Sequence, residues 1–135
     1  MGAWAEDTFG NDTACDWAGE FLDNPGLPAV QSAIYAVLAC DGYLNLDEAA
    51  NCLAACEVLA RWQGQWGLRN PYSEQLDAWI EAHPVEVPAR LRSAADQAIE
   101  KILGPDSELR QLWDEGGYNS VWHDDVNNLR QRIFG

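Results

Sequence analysis

Asp12, Asp16 and Glu20 stand four residues apart, and Asp23 follows three later. At that spacing side chains share one flank of a helix, so these carboxylates form an acidic row. Such a row receives a cationic partner, or a hard metal ion if further oxygen ligands join it. Two carboxylates of one helix fall short of the six to eight oxygens that calcium takes, so no metal site is expected here. The first sixty residues hold ten carboxylates and no Lys or Arg, which makes the acidity one-sided.

The other chemistry-bearing groups point to ordinary structure. Cys52 and Cys56 fall one helical turn apart, where two thiolates could face zinc, but no second Cys pair or nearby His completes a tetrahedron. With Cys15 and Cys40 they are expected to be reduced, buried thiols. Asp41 to Asp47 invites comparison with a calcium loop, yet Tyr43 stands at the second ligand, Leu46 at the required Gly and Cys52 at the closing Glu. His123, Asp124 and Asp125 are consecutive, so on a helix they point in different directions and cannot converge on one ion. No catalytic residue is expected: only His83 and His123 are present, and no Ser, Cys or Lys stands in a recognisable nucleophile setting.

The elements that must position these groups follow from apolar spacing. Ala14, Trp17, Ala18, Phe21 and Leu22 mark one face of a helix over residues 12–23, with Asp12 as its N-cap. Asn24-Pro25-Gly26 stops it, and Pro28 opens a second helix to about Cys40, expected to be buried nearly all round and central. A third, rich in small residues, runs from about Asp47 to Gln63. Residues 64–72 read as a loop whose Trp66 and Tyr72 fold back over apolar surface. Ser73 caps a short helix with the stripe Leu76, Trp79, Ile80 and His83. Pro88 starts a fifth, carrying Leu91, Ala95, Ala98, Ile99 and Ile102 and closed by Gly104-Pro105. Asp106 or Ser107 caps a sixth with Leu109, Leu112 and Trp113, ending at Gly116-Gly117. Trp122, Val126, Leu129 and Ile133 mark a seventh, and no run alternates long enough for a confident strand. The fold class is all-α, a compact single-domain bundle of about six to seven helices over residues 1–135, with residues 1–11 as an aromatic arm packed on it.

Composition excludes several functions. The chain has 135 residues, 47% of them hydrophobic with seven Trp, so the formal charge of −14 sits on a packed body. Eight basic residues against twenty-two acidic ones disfavour nucleic acid and anionic membrane surfaces, both of which need clustered Lys and Arg. The apolar runs are short and interrupted and the N-terminus has no secretory pattern, so a cytoplasmic location is expected. No cofactor is expected, and composition fixes no oligomeric state.

Within the row, like charges four apart cost about 0.2–0.5 kcal/mol per exposed pair, and Asp23 stands at the unfavourable end of the helix dipole. Compensation is expected from Arg130 and Arg132 reaching across from the last helix, with Arg61 as a third candidate. The plain alternative is a solvated face with one or two such contacts.

Gly2-Ala3-Trp4, Phe9, Asn11-Asp12, Ala14 and Asp16-Trp17 together resemble the opening signature of a bacterial family known as domain of unknown function 4259. Tyr43-Leu44 with Glu48-Ala49-Ala50 and residues 54–60 is similar to its central helix. Ser107-Glu108-Leu109 through Leu112-Trp113-Asp114-Glu115 to Trp122 is similar to its C-terminal block. The chain departs from the family pattern at Ala5, where Gly is expected, and at Cys56, where Ala is usual. The resemblance implies a small, freestanding bacterial protein and carries no activity.

Charge and resemblance together select Trp4, Phe9, Asn11, Asp12, Asp16, Glu20 and Glu115 as a binding set. Asp16 stands out because no local structural duty claims it. The first reading is a protein-binding or inhibitory module that docks a basic protein, in the manner of immunity proteins that neutralise cationic toxins. The alternative is a metal-dependent hydrolase with a carboxylate-lined pocket near Asp12, Asp16 and Glu115; a third is a purely structural role.

Overall fold

The computed structural model describes residues 12–66, 74–116 and 119–134. The proposed arm, with Trp4, Phe9 and Asn11, and the expected contacts of Tyr72 and Ser73 lie outside the described residues. Seven helices are present among them: α1 (Asp12–Asp23), α2 (Leu27–Leu38), α3 (Leu46–Trp62), α4 (Glu74–Ala82), α5 (Ala89–Ile102), α6 (Glu108–Gly116) and α7 (Asn119–Phe134). The class is all-α, as the periodicity predicts. The only β feature among the described residues is an isolated parallel bridge between Leu44 and Ser107.

Most residues of the predicted stripes form the core, although Leu112 of α6 and His83 beyond α4 are exposed. Phe21 of α1, Ile34 of α2, Leu59 of α3, Leu76 of α4, Ile99 of α5 and Leu129 of α7 are each buried in one cluster. The central helix, however, is α3 and not α2. On α2 only Val30, Ala33, Ile34 and Val37 are buried, while Ser32, Tyr35 and Ala36 face outward. Apolar composition misled here because the exposed positions are Ala and Tyr, which tolerate solvent. On α3 burial is continuous from Cys52 to Arg61, and the helix touches each of the other six. Its Ala residues make that possible, since small side chains let neighbouring axes approach from every side.

Helix ends show why the chain turns where it does. The third helix begins one residue before the predicted Asp47, because Asn45 caps it: its Oδ1 accepts the Glu48 backbone N–H at 2.9 Å, and its Nδ2 donates to Glu48 Oε1 at 2.6 Å. At the other end Gly64 adopts φ +84, with Gly64 N–H donating to Arg61 O and Gln65 N–H to Ala60 O. This is a Schellman closure, and the left-handed residue at its centre is the reason a glycine stands there. It turns Trp66 back over the helix so that Arg61 lies 5.8 Å from the ring centroid, in line with the expected fold-back. For α6 the cap is Ser107 and not Asp106: the buried Ser107 Oγ accepts the Arg110 N–H at 3.4 Å. Asp12 is the first residue inside α1 and not its cap.

Aromatic contacts fix α1 against α3 and α4. Phe21 stacks on Trp17 at 5.3 Å and meets Trp79 edge-on at 5.3 Å, while Trp62 lies 6.3 Å from both Phe21 and Trp79. Such pairs contribute about 0.5–1.5 kcal/mol each beyond their buried area. With the inner face held this way, the carboxylate flank of α1 has one orientation, toward solvent.

Candidate functional site

Asp16, Glu20 and Asp23 are all exposed along α1, as the four-residue spacing requires. Asp12 is the first residue of the same helix. The expected compensation does not arrive. Arg61 pairs with Glu57 and Asp77, Arg132 with Glu57, and Arg130 with Asp96 and Glu100. Among the described residues no basic side chain lies within ion-pair reach of Asp16, Glu20 or Asp23. Nor does α1 carry a basic residue in its last turn to offset Asp23. The like-charge repulsion of this flank therefore stands unrelieved within the described structure.

Arg61 and Arg132 are drawn instead to a buried ionic cluster that joins three helices. Arg61 Nε donates to Asp77 Oδ1 at 2.8 Å, Arg132 Nη2 donates to Glu57 Oε2 at 2.9 Å, and Arg61 Nη1 also bonds Glu57. Burial alone pushes the Glu57 carboxyl up; the hydrogen bond from Arg132 and the charges of Arg61 and Arg132 outweigh it and hold it below its ordinary value. Among the described residues two guanidinium groups face two carboxylates, and such pairing is how a charge persists in an apolar core. The cluster ties α4 and α7 to the end of α3, a structural task. Sequence reading missed Glu57 and Asp77 because each sits at a position that a surface helix would also fill with an acid. The only hint was that Arg61 and Asp77 fall within otherwise apolar stripes.

Beside the acidic flank, α1, α2 and α3 enclose a groove of about 360 Å³. From α1 come the buried rings of Trp17 and Phe21 and the exposed Glu20; α2 contributes the small side chains Ala29, Ala33 and Ala36. From α3 come Glu48 and Asn51. Glu48 is half-buried and held in place by Asn45, so its carboxylate is aimed before any ligand arrives. Neither Glu48 nor Asn51 belongs to the predicted binding set. The pattern Asn45-Leu46-Asp47-Glu48, an N-cap residue followed three later by Glu, was the available signal for Glu48. Near the start of α1, Thr13 Oγ1 donates to Asp47 Oδ1 at 3.3 Å, which brings a further carboxylate to the same side.

Glu115 is exposed on α6 and does not line the groove. It faces Tyr43, whose phenol is raised first by desolvation and then by the charges of Glu108 and Glu115. That junction is where two of the recognised sequence blocks meet. Leu44 N–H donates to Asp106 O at 2.8 Å, Glu108 N–H to Leu44 O at 3.0 Å, and Tyr43 Oη to Gln111 Oε1 at 2.7 Å.

Groups suited to catalysis have structural partners. His83 stacks on Trp79 at 4.4 Å and places Nδ1 2.9 Å from the Trp79 carbonyl. The Cys56 thiol is pushed well above its ordinary value by a hydrogen bond with Cys52 and by burial, which keeps it protonated and unreactive. Cys52 and Cys56 are buried as expected, whereas Cys15 and Cys40 are only half-buried. Among the described residues no three His, Cys, Asp or Glu gather as metal ligands, and no helix is long and apolar enough to cross a membrane. A family model described as "Domain of unknown function (DUF4259)" matches residues 2–125. No curated protein and no solved structure matches the chain.

Proposed function

The chain belongs to the family described as a domain of unknown function (DUF4259), which names no activity, and we propose that it is a protein-binding module, inhibitory in the manner of immunity proteins, that docks a basic protein on the flank of α1. One observation carries this reading. Asp16, Glu20 and Asp23 are exposed in a row without a cation among the described residues, while the arginines that could have neutralised them are engaged elsewhere. A fold gains nothing from three uncompensated carboxylates on one helix; a partner surface rich in Lys or Arg removes the repulsion and is steered in by it. Asp47 and Glu48 at the start of α3 widen the same negative surface. The proposal includes Asp12, Trp4, Phe9 and Asn11 as neighbours in sequence of this flank, a single domain, a bacterial cytoplasmic setting and no nucleic-acid partner.

The test is capture of basic proteins from native lysate by wild type and by the double variant Asp16→Lys/Glu20→Lys, at low and high salt. Wild type should retain basic proteins at low salt only, and the variant should retain none. An identical captured set for both proteins, unaffected by salt, would sink the reading. The alternative is a metal-dependent hydrolase with a carboxylate-lined pocket near Asp12, Asp16 and Glu115, and it requires that divalent cations raise the melting temperature; the groove between α1, α2 and α3 is lined instead by Glu20 and Glu48.

A further inference from the structure

The geometry points to the groove between α1, α2 and α3 as an anchor pocket for one arginine side chain of the protein partner, its guanidinium held between Glu20 and Glu48 and its stem laid along Trp17 and Phe21. This rests on the reading of the α1 flank as the docking face and adds what the partner inserts there.

Four features carry it. The groove's volume, about 360 Å³, lies at the small end of the range of roughly 300–1,000 Å³ usual for ligand sites, which suits one long side chain better than a helix. Its two acidic side chains come from different helices, Glu20 from α1 and Glu48 from α3, so they can address a planar donor from two directions. Glu48 is already oriented by Asn45 at 2.6 Å, which lowers the ordering cost of binding. The remaining lining joins aromatic carbon with the side-chain amides of Asn24 and Asn51, acceptors that five guanidinium N–H groups can satisfy.

Charge complementarity selects the occupant. No Lys or Arg occurs in the first sixty residues, so neither α1, α2 nor residues 46–60 of α3 supplies a competing cation. An apolar occupant would strip water from Glu20 and Glu48 without replacing it, which is costly. A lysine ammonium brings three donors on a strongly hydrated head, whereas guanidinium is weakly hydrated and lies flat against indole. Arginine is therefore favoured over lysine.

The experiment is an NMR titration of the full chain, at low salt, with three blocked pentapeptides: Ala-Ala-Arg-Ala-Ala, its Lys counterpart and its citrulline counterpart. The arginine peptide should shift the Trp17 indole and the amides of Glu20, Ala33 and Asn51. The lysine peptide should bind roughly tenfold more weakly and the citrulline peptide should be silent. Ala36→Phe, at an exposed position on the groove wall, should abolish these shifts, and Glu48→Gln should weaken binding about tenfold at unchanged volume. The pocket is overturned if arginine and lysine peptides act equally on Asp16, Glu20 and Asp23 without moving Ala33 or Asn51, or if both Ala36→Phe and Glu48→Gln leave the titration unchanged. In either case salt-dependent capture of a basic protein can persist, so the docking face would stand without its pocket. Silence of every cationic peptide, together with no capture of basic proteins, removes both.

Discussion

Glu108 Oε1 on α6 accepts the backbone N–H of Leu46 at 2.8 Å, so one helix caps another that begins sixty-two residues earlier in the chain. The negative charge sits at the positive end of the α3 dipole, and Leu44 bridges to Ser107 directly beside it. Two helix starts are thereby locked side by side.

The Glu108→Ala variant should lose about 1–2 kcal/mol of stability, because an orphaned N–H and a lost charge–dipole contact act together. Glu108→Gln retains an acceptor and should lose less than half of that. Chemical denaturation of the three proteins decides it; equal midpoints would show that water replaces the cap at no cost.

Removal of Asp77 acts on the buried cluster. Arg61 has about 1% of its side chain exposed, so Asp77→Ala withdraws a carboxylate from a guanidinium that water cannot reach. The expected loss is about 3–5 kcal/mol. Arg61→Met combined with Asp77→Leu should cost much less, since it removes both charges at similar volume. Melting temperatures of the single and double variants make the comparison.

Acid should act through Glu57. Its folded pKa is held below the unfolded value, so its contribution is fully present above the ordinary carboxylate pKa of about 4.3 and is lost as pH falls through the lowered folded value. The stability gap between wild type and Glu57→Gln should be constant near neutrality and narrow below about pH 4. Thermal melts across that range measure it, and a gap independent of pH would mean that Glu57 is not the titrating group.

Stability and binding should move in opposite directions at Glu20. Glu20→Lys places a cation four residues from Asp16 and near the C-terminal end of α1, which should add about 0.3–1 kcal/mol of stability. The same change should abolish capture of basic proteins. A variant that is more stable and still binds would show that the row is only a solvated surface.

Much of the helix layout was legible in the chain. Apolar residues at offsets of three and four, stopped by Pro25-Gly26, Pro84 and Gly104-Pro105, locate the helices because propensity and burial agree locally. The acidic flank of α1 was legible too, since helical spacing alone sets which side Asp16, Glu20 and Asp23 share. The destination of the arginines was not. Arg61, Arg130 and Arg132 could have met any of twenty-two carboxylates, and distance in the chain is no guide to which.

By itself, then, the sequence determined the elements, most of their buried faces (that of α2 excepted) and the negative sign of the N-terminal half, all properties of neighbours within a turn or two. Tertiary structure alone decided that α3 is the centre, that Glu57 and Asp77 are buried partners of Arg61, and that Glu48 and Glu20 line one groove. Those depend on which faces of distant helices meet, and a long-range contact is chosen by packing the whole core at once, which no local spacing encodes.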